Sequence, residues 1–120
     1  MPATAAHART VLRRGLSTIR TRPVRRRVNL FIVGEQKCGT SSLHDLLGSA
    51  EQIATASRKE LHYFDGDEFV PDDARYEANF RIPRFAAAPR YLLDSTPDYC
   101  WDHNALRRLQ HYNPDATIIM

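Results

Sequence analysis

The densest chemistry in this 120-residue chain lies in one short stretch, Gly34-Glu35-Gln36-Lys37-Cys38-Gly39-Thr40-Ser41-Ser42. Apolar residues precede it and a leucine-spaced segment follows, so it reads as a turn between a strand and a helix N-terminus. Backbone N–H groups point outward at such a junction, and the helix dipole adds partial positive charge, so it suits an anion. Gly34 and Gly39 allow a sharp exit from the strand and close approach of backbone to a phosphate. Lys37 adds a full charge, and Thr40, Ser41 and Ser42 add hydroxyl donors. A Walker A loop needs lysine directly after its second glycine; here Thr40 holds that place and Lys37 sits inside the loop. A nucleotide kinase or triphosphatase is therefore the alternative reading, and a nucleotide-binding fragment without activity is another.

Other reactive residues carry less. Cys38 lies where a helix N-terminus would lower a thiol pKa, which makes a catalytic thiol the lesser reading beside anion binding. Asp65-Gly66-Asp67-Glu68 lacks the spacing of a calcium loop, and no metal ligand set is assigned. Tyr63 and Phe64 read as packing residues, and Tyr99 and Trp101 as core rather than as a stacking platform. Arg107 and Arg108 fall on a solvated helix face.

The elements that would position the loop follow from periodicity. Val28–Val33 is a nearly continuous apolar run, as in a strand buried on both faces. Residues 40–47 form a helix with Leu43, Leu46 and Leu47 on one side and Gly48 near its end. Gln52–Thr55 and Tyr91–Asp94 are further strands, and Asp72–Phe80 is a helix. His103–Tyr112 is a helix stopped by Asn113-Pro114, and a last strand begins at Ala116. Strands alternating with helices predict an α/β fold with a parallel sheet covered on both faces.

Charge divides the chain in two. Residues 1–27 hold eight arginines and no acid, leaving nine basic against fourteen acidic residues in 28–120, a net of −5. The basic pI near 9.1 thus belongs to the leader, and the folded part lacks the basic face that nucleic-acid binding needs. Leu12, Leu16 and Ile19 share a helical face flanked by arginines. Three readings stay open for 1–27: a poorly ordered leader, a helix on an anionic membrane surface, or a transit peptide. Cys38 and Cys100 make no disulfide framework, which fits a reducing, cytoplasmic setting. No apolar run approaches the ~18 residues of a membrane span. The organisation expected is a leader at 1–27 and a folded part at 28–120.

Gly34-x-x-Lys37-x-Gly39-Thr40-x-x-Leu43 resembles the 5'-phosphosulfate loop of sulfotransferases that use 3'-phosphoadenosine 5'-phosphosulfate (PAPS). Lys59-Glu60-Leu61-His62-Tyr63-Phe64-Asp65 is similar to the KE-x-H-[FY]-F-D segment of heparan-type carbohydrate sulfotransferases and their bacterial relatives. Asp94-Ser95-Thr96-Pro97-Asp98-Tyr99 resembles the E-x-[ST]-P-x-Y segment that follows it in order. The resemblance implies a P-loop-like three-layer fold, PAPS as sulfate donor without a metal, and a carbohydrate or glycolipid hydroxyl as acceptor. It implies that Lys37 stabilises the leaving phosphate, and that Gly34 and residues 38–42, namely Cys38, Gly39, Thr40, Ser41 and Ser42, hold it. Glu60 would take the acceptor proton, its basicity raised by burial. His62, on the same side of an extended segment, would orient Glu60 or touch the acceptor. In two respects the chain departs from that pattern. Heparan-type enzymes commonly carry lysine where Ser95 stands. The 3'-phosphate clamp follows the next strand in the family, so the domain is expected to be incomplete at the C-terminus, with half of the donor site beyond Met120.

Overall fold

The computed structural model describes residues 20–34 and 39–120. Its six strands are β1 (Thr21–Pro23), β2 (Leu30–Ile32), β3 (Ile53–Thr55), β4 (Arg81–Pro83), β5 (Tyr91–Ser95) and β6 (Thr117–Ile119). Its helices are α1 (Thr40–Gly48), α2 (Asp73–Glu77) and α3 (His103–Tyr112), with a 3-10 turn over Pro97–Trp101. Four strands form a parallel sheet in the order β3-β5-β2-β6.

Alternation along the strands explains the layers. Leu30, Ile32, Ile53 and Leu93 face one side, where Leu43 and Leu47 of α1 cover them. Phe31, Val33, Ala54 and Leu92 face the other, under Phe64, Tyr76, Tyr99, Ala105, Leu109 and Tyr112. From β2 the chain crosses through α1 to β3; from β5 it crosses the opposite way through α3 to β6. Right-handed crossovers running in opposite directions must use opposite faces, and the result is the three-layer α/β fold. Ligands of such sheets bind at the carboxyl ends of the strands where the order reverses. Here that places them at the ends of β2 and β5.

Three boundaries differ from the sequence reading. The helix expected over Asp72–Phe80 is confined to α2. Asp72 caps it by accepting from the Arg75 N–H, and the Asn79 side chain donates back to the Arg75 and Tyr76 carbonyls, freeing residues 81–83 for β4. Trp101, expected in the core, is 71% exposed. Residues 20–27, placed in the leader by their charge, are structured. β1 pairs antiparallel with β4, and Val24 is buried in the core. The charge count misses what these arginines do. Arg22 donates to the Ala86 carbonyl, and Arg26 to those of Pro89 and Arg90. Arg27 pairs with Asp73 at 3.5 Å and lies 4.7 Å over the Tyr112 ring. The remainder of the leader, with Leu12, Leu16 and Ile19, lies outside the described residues. No helix among the described residues is long and apolar enough to cross a membrane.

Candidate functional site

β2 delivers the chain to Gly34 at its carboxyl end. A side chain there has no room: a Cβ on Gly34 would lie 2.6 Å from the main-chain carbon of Met120. Gly39 is required for conformation instead, with φ +82 and, among the described residues, nothing within 4 Å of where a Cβ would lie. It stands at the N-cap of α1 without a side-chain cap, and the helix ladder begins with the Leu43 N–H on the Gly39 carbonyl at 3.0 Å. The N–H groups of the first turn are therefore without helical partners. Thr40 is half-buried there, and Ser41 and Ser42 are exposed. Lys37 and Cys38 lie outside the described residues. Of the residues assigned to the anion loop, Gly34, Gly39, Thr40, Ser41 and Ser42 are placed at the strand end and helix start.

A cation from outside the glycine turn reaches this helix end. The Lys59 ammonium donates to the Ser41 hydroxyl. Sequence reasoning took Lys59 only as the first residue of the segment that carries Glu60 and His62. A contact eighteen residues away in the chain has no local signature, so spacing could not reveal it.

The segment after Lys59 carries Glu60 and His62. Glu60 is not buried, with its side chain 41% exposed. His62 is not extended either: its φ of +52 is left-handed, uncommon without glycine. The imidazole nevertheless lies between two carboxylates. Nδ1 is 2.8 Å from Asp65 Oδ2, and Nε2 is 3.9 Å from Glu60 Oε2. Partial burial opposes a positive ring, but the Asp65 hydrogen bond and the charges of Asp65, Glu60 and Asp98 outweigh it and push the His62 pKa up from 6.5. His62, Asp65 and Asp98 also bring one ligand atom each within 4.8 Å of one another. These three could surround a cation, and the imidazolium itself supplies positive charge there.

The backbone beyond His62 is pinned from several directions. The Tyr63 N–H donates to the Tyr99 hydroxyl at 3.0 Å. Arg108 donates to the Phe64 and Gly66 carbonyls at 2.8 and 2.9 Å, and Asp102 accepts from the Gly66 N–H while capping α3. Tyr63 stacks on Tyr76 at 4.2 Å, and Phe64 is buried among Phe31, Tyr76, Tyr99 and Tyr112, so both pack as expected.

Below them lies Asp94, fully buried at the end of β5. Tyr76 and Tyr99 donate to its Oδ2 at 2.6 and 3.0 Å, and Thr96 donates to Oδ1 at 2.7 Å. Burial pushes the Asp94 pKa up, and the three hydroxyl donors partly offset it. Burial, with the Asp94 charge, pushes both tyrosines well above their ordinary value. Ser95 faces the opposite side of the strand. It is buried, with its Oγ 2.6 Å from His44 Nδ1 in α1, so it is turned toward the helix rather than toward Glu60.

No protein-family model matches the chain, and no curated protein matches it. Among solved structures, the chain is similar to a sulfotransferase from Alicyclobacillus acidocaldarius, at 26% sequence identity and a TM-score of 0.61. The likeness covers 78% of this chain and 43% of that protein, so the chain spans under half of its length. With its parallel four-stranded sheet and glycine-flanked turn after β2, the chain has a sulfotransferase-like α/β fold.

Proposed function

We propose that the chain forms the donor-loop part of a PAPS-dependent sulfotransferase acting on a carbohydrate hydroxyl. The observation that carries this reading is the adjacency of an anion site and a base on consecutive residues. Lys59 reaches the open N-terminus of α1 at Ser41, while Glu60 sits beside His62. The 5'-phosphosulfate would lie over Gly39, Thr40, Ser41 and Ser42, with Lys37 and Lys59 supplying charge. An acceptor oxygen attacks sulfur as its proton passes to Glu60. The bond from sulfur to the bridging oxygen breaks, and the electron pair leaves on the 5'-phosphate, where the loop donors stabilise it. His62 orients Glu60, held in turn by Asp65.

A kinase or triphosphatase would need a metal-binding acid at a strand end near the loop. Asp94 occupies such a strand end, but its carboxylate is buried on the face opposite α1 and engaged by three hydroxyls. That favours the sulfotransferase reading.

Titration of the chain with the desulfated donor PAP, and with ATP and magnesium, tests the choice, together with sulfate transfer from labelled PAPS. Weak PAP binding, through the 5'-phosphate alone, is expected and should be lost in Lys37→Ala. Binding of ATP with magnesium but not PAP would overturn the reading.

A further inference from the structure

The surface beside Glu60 and His62 has an unused aromatic. Trp101 closes the 3-10 turn with most of its indole in solvent, 71% exposed, although tryptophan is ordinarily highly buried. In a 3-10 helix, residues three apart eclipse each other about 6 Å along the axis. Trp101 therefore stands on the side of the turn that carries Asp98. The Asp98 carboxylate lies within 4.8 Å of ligand atoms on His62 and Asp65, so the residue that bears the exposed ring shares a side of the turn with one member of the group around the proposed base.

The charge of that group is negative. Glu60, Asp65 and Asp98 surround a single imidazole. Arg108, the arginine bonded to this loop, is engaged by the Phe64 and Gly66 carbonyls and lies 4.7 Å over the Phe69 ring. Lys59 turns to the helix side. Ser95 is buried against His44 and adds no charge. A flat apolar ring rimmed by carboxylate acceptors matches a pyranose, which offers a C–H face and an edge of hydroxyl donors. It does not match a chain of sulfates and carboxylates, which these acids would repel.

We infer that Trp101 is the stacking platform of the acceptor subsite, that Asp98 and Asp65 accept hydrogen bonds from sugar hydroxyls, and that the sugar is neutral or amino-bearing rather than polyanionic. The inference rests on the sulfotransferase reading for its placement beside Glu60. It also counts Trp101 among the residues that sequence reasoning assigned to the core.

Trp101 is the only tryptophan in the chain, so intrinsic fluorescence reports on it alone. The probes are neutral tetrasaccharides of glucose and of N-acetylglucosamine, the deacetylated glucosamine tetramer, and a heparin tetrasaccharide at low salt. A saturable emission change is expected with the neutral or cationic probes, with heparin binding at least tenfold more weakly, the discrimination a repelled charge would give. By calorimetry, Trp101→Ala should lose roughly tenfold in saccharide affinity, the scale of a lost aromatic contact. Asp98→Asn should narrow the discrimination against heparin. No saturable change with the three non-sulfated probes, or heparin binding as tightly as they do, overturns the inference. An unchanged heparin ratio in Asp98→Asn overturns its charge argument. Parallel titration with PAP separates the two readings: saccharide binding without PAP binding sinks the transferase and leaves the saccharide subsite standing.

Discussion

The Tyr99 hydroxyl donates to Asp94 at 3.0 Å, and the same oxygen accepts the Tyr63 N–H at 3.0 Å. A hydroxyl whose hydrogen is drawn to a carboxylate is a better acceptor, so the buried acid strengthens the hold on the peptide immediately after His62. That residue keeps a left-handed φ of +52, a strain that persists where surroundings over-determine the backbone. Asp94, bonded to Tyr76, Thr96 and Tyr99, thereby helps to position the segment that bears Glu60.

Tyr99→Phe removes both bonds and keeps the ring. It should destabilise the fold by about 1–3 kcal/mol, the scale for a buried polar group left unpaired, measured by urea unfolding. The His62 imidazole, followed by NMR, should titrate closer to 6.5 as its contact with Asp65 loosens. Unchanged stability with an unchanged imidazole would remove the positioning role.

Asp94 predicts a pH dependence of definite sign. Its folded pKa is raised above 3.8 by burial, so the folded state holds the proton more tightly than the unfolded chain. Stability is then greatest below 3.8 and falls as pH rises through the raised folded value. Asp94→Asn cannot ionise and lacks this component. Urea unfolding of both proteins across that window should show the wild-type stability falling relative to the variant as pH increases; a difference that grows instead would refute the assignment.

His62 has the same direction with the opposite charge type. Its folded pKa lies above 6.5 because Asp65, Glu60 and Asp98 outweigh its partial burial. The stabilisation is present below 6.5 and lost as pH rises through the folded value. Asp65→Asn should bring the imidazole pKa down in an NMR titration, and no movement would show that Asp65 does not hold the ring.

Lys59→Met tests the second cation of the anion site. Loss of a charge-assisted bond should weaken PAP binding by about tenfold or more, read by calorimetry, with the fold intact by circular dichroism. Affinity equal to wild type would assign Lys59 to the surface. In an active protein that carries this chain, Glu60→Gln should retain PAP binding while transfer from labelled PAPS falls by ~10² or more.

The two loop glycines should fail differently. Gly34→Ala meets the Met120 main chain and should cost about 1–3 kcal/mol as an overpacked site. Gly39→Ala meets open space but keeps φ +82, costing about 1–2 kcal/mol from the left-handed backbone. Gly39→Asn should recover part of that loss in thermal unfolding, whereas Gly34→Asn should recover none.

Periodicity revealed the strands around Leu30, Ile53 and Leu92 and the helix His103–Tyr112, because buried faces repeat at the spacing of the backbone. It hid β1 and β4, whose three-residue pairing joins Thr21 to Pro83 and has too little length to show a pattern. The glycine turn was legible as a strand-to-helix junction from residue types alone. Lys59 on Ser41, Asp98 beside His62, and the hydroxyls on Asp94 were not, since each joins separate elements. Trp101 misled for a related reason: a large apolar residue announces burial, while its position at the end of a 3-10 turn leaves it in solvent.

The central place of β2 fixes when this site can exist. Leu30 is joined to Leu93 on one side and to Thr117 on the other, and Gly34 fits against Met120. None of these partners is near in sequence, and contacts of long separation form slowly because loop closure must precede them. During synthesis, the strand that carries the glycine turn leaves the ribosome well before the strands that flank it. Until then Leu30–Val33 is an apolar segment without a sheet, open to wrong partners. The glycine turn is thus synthesised before the strands that hold it.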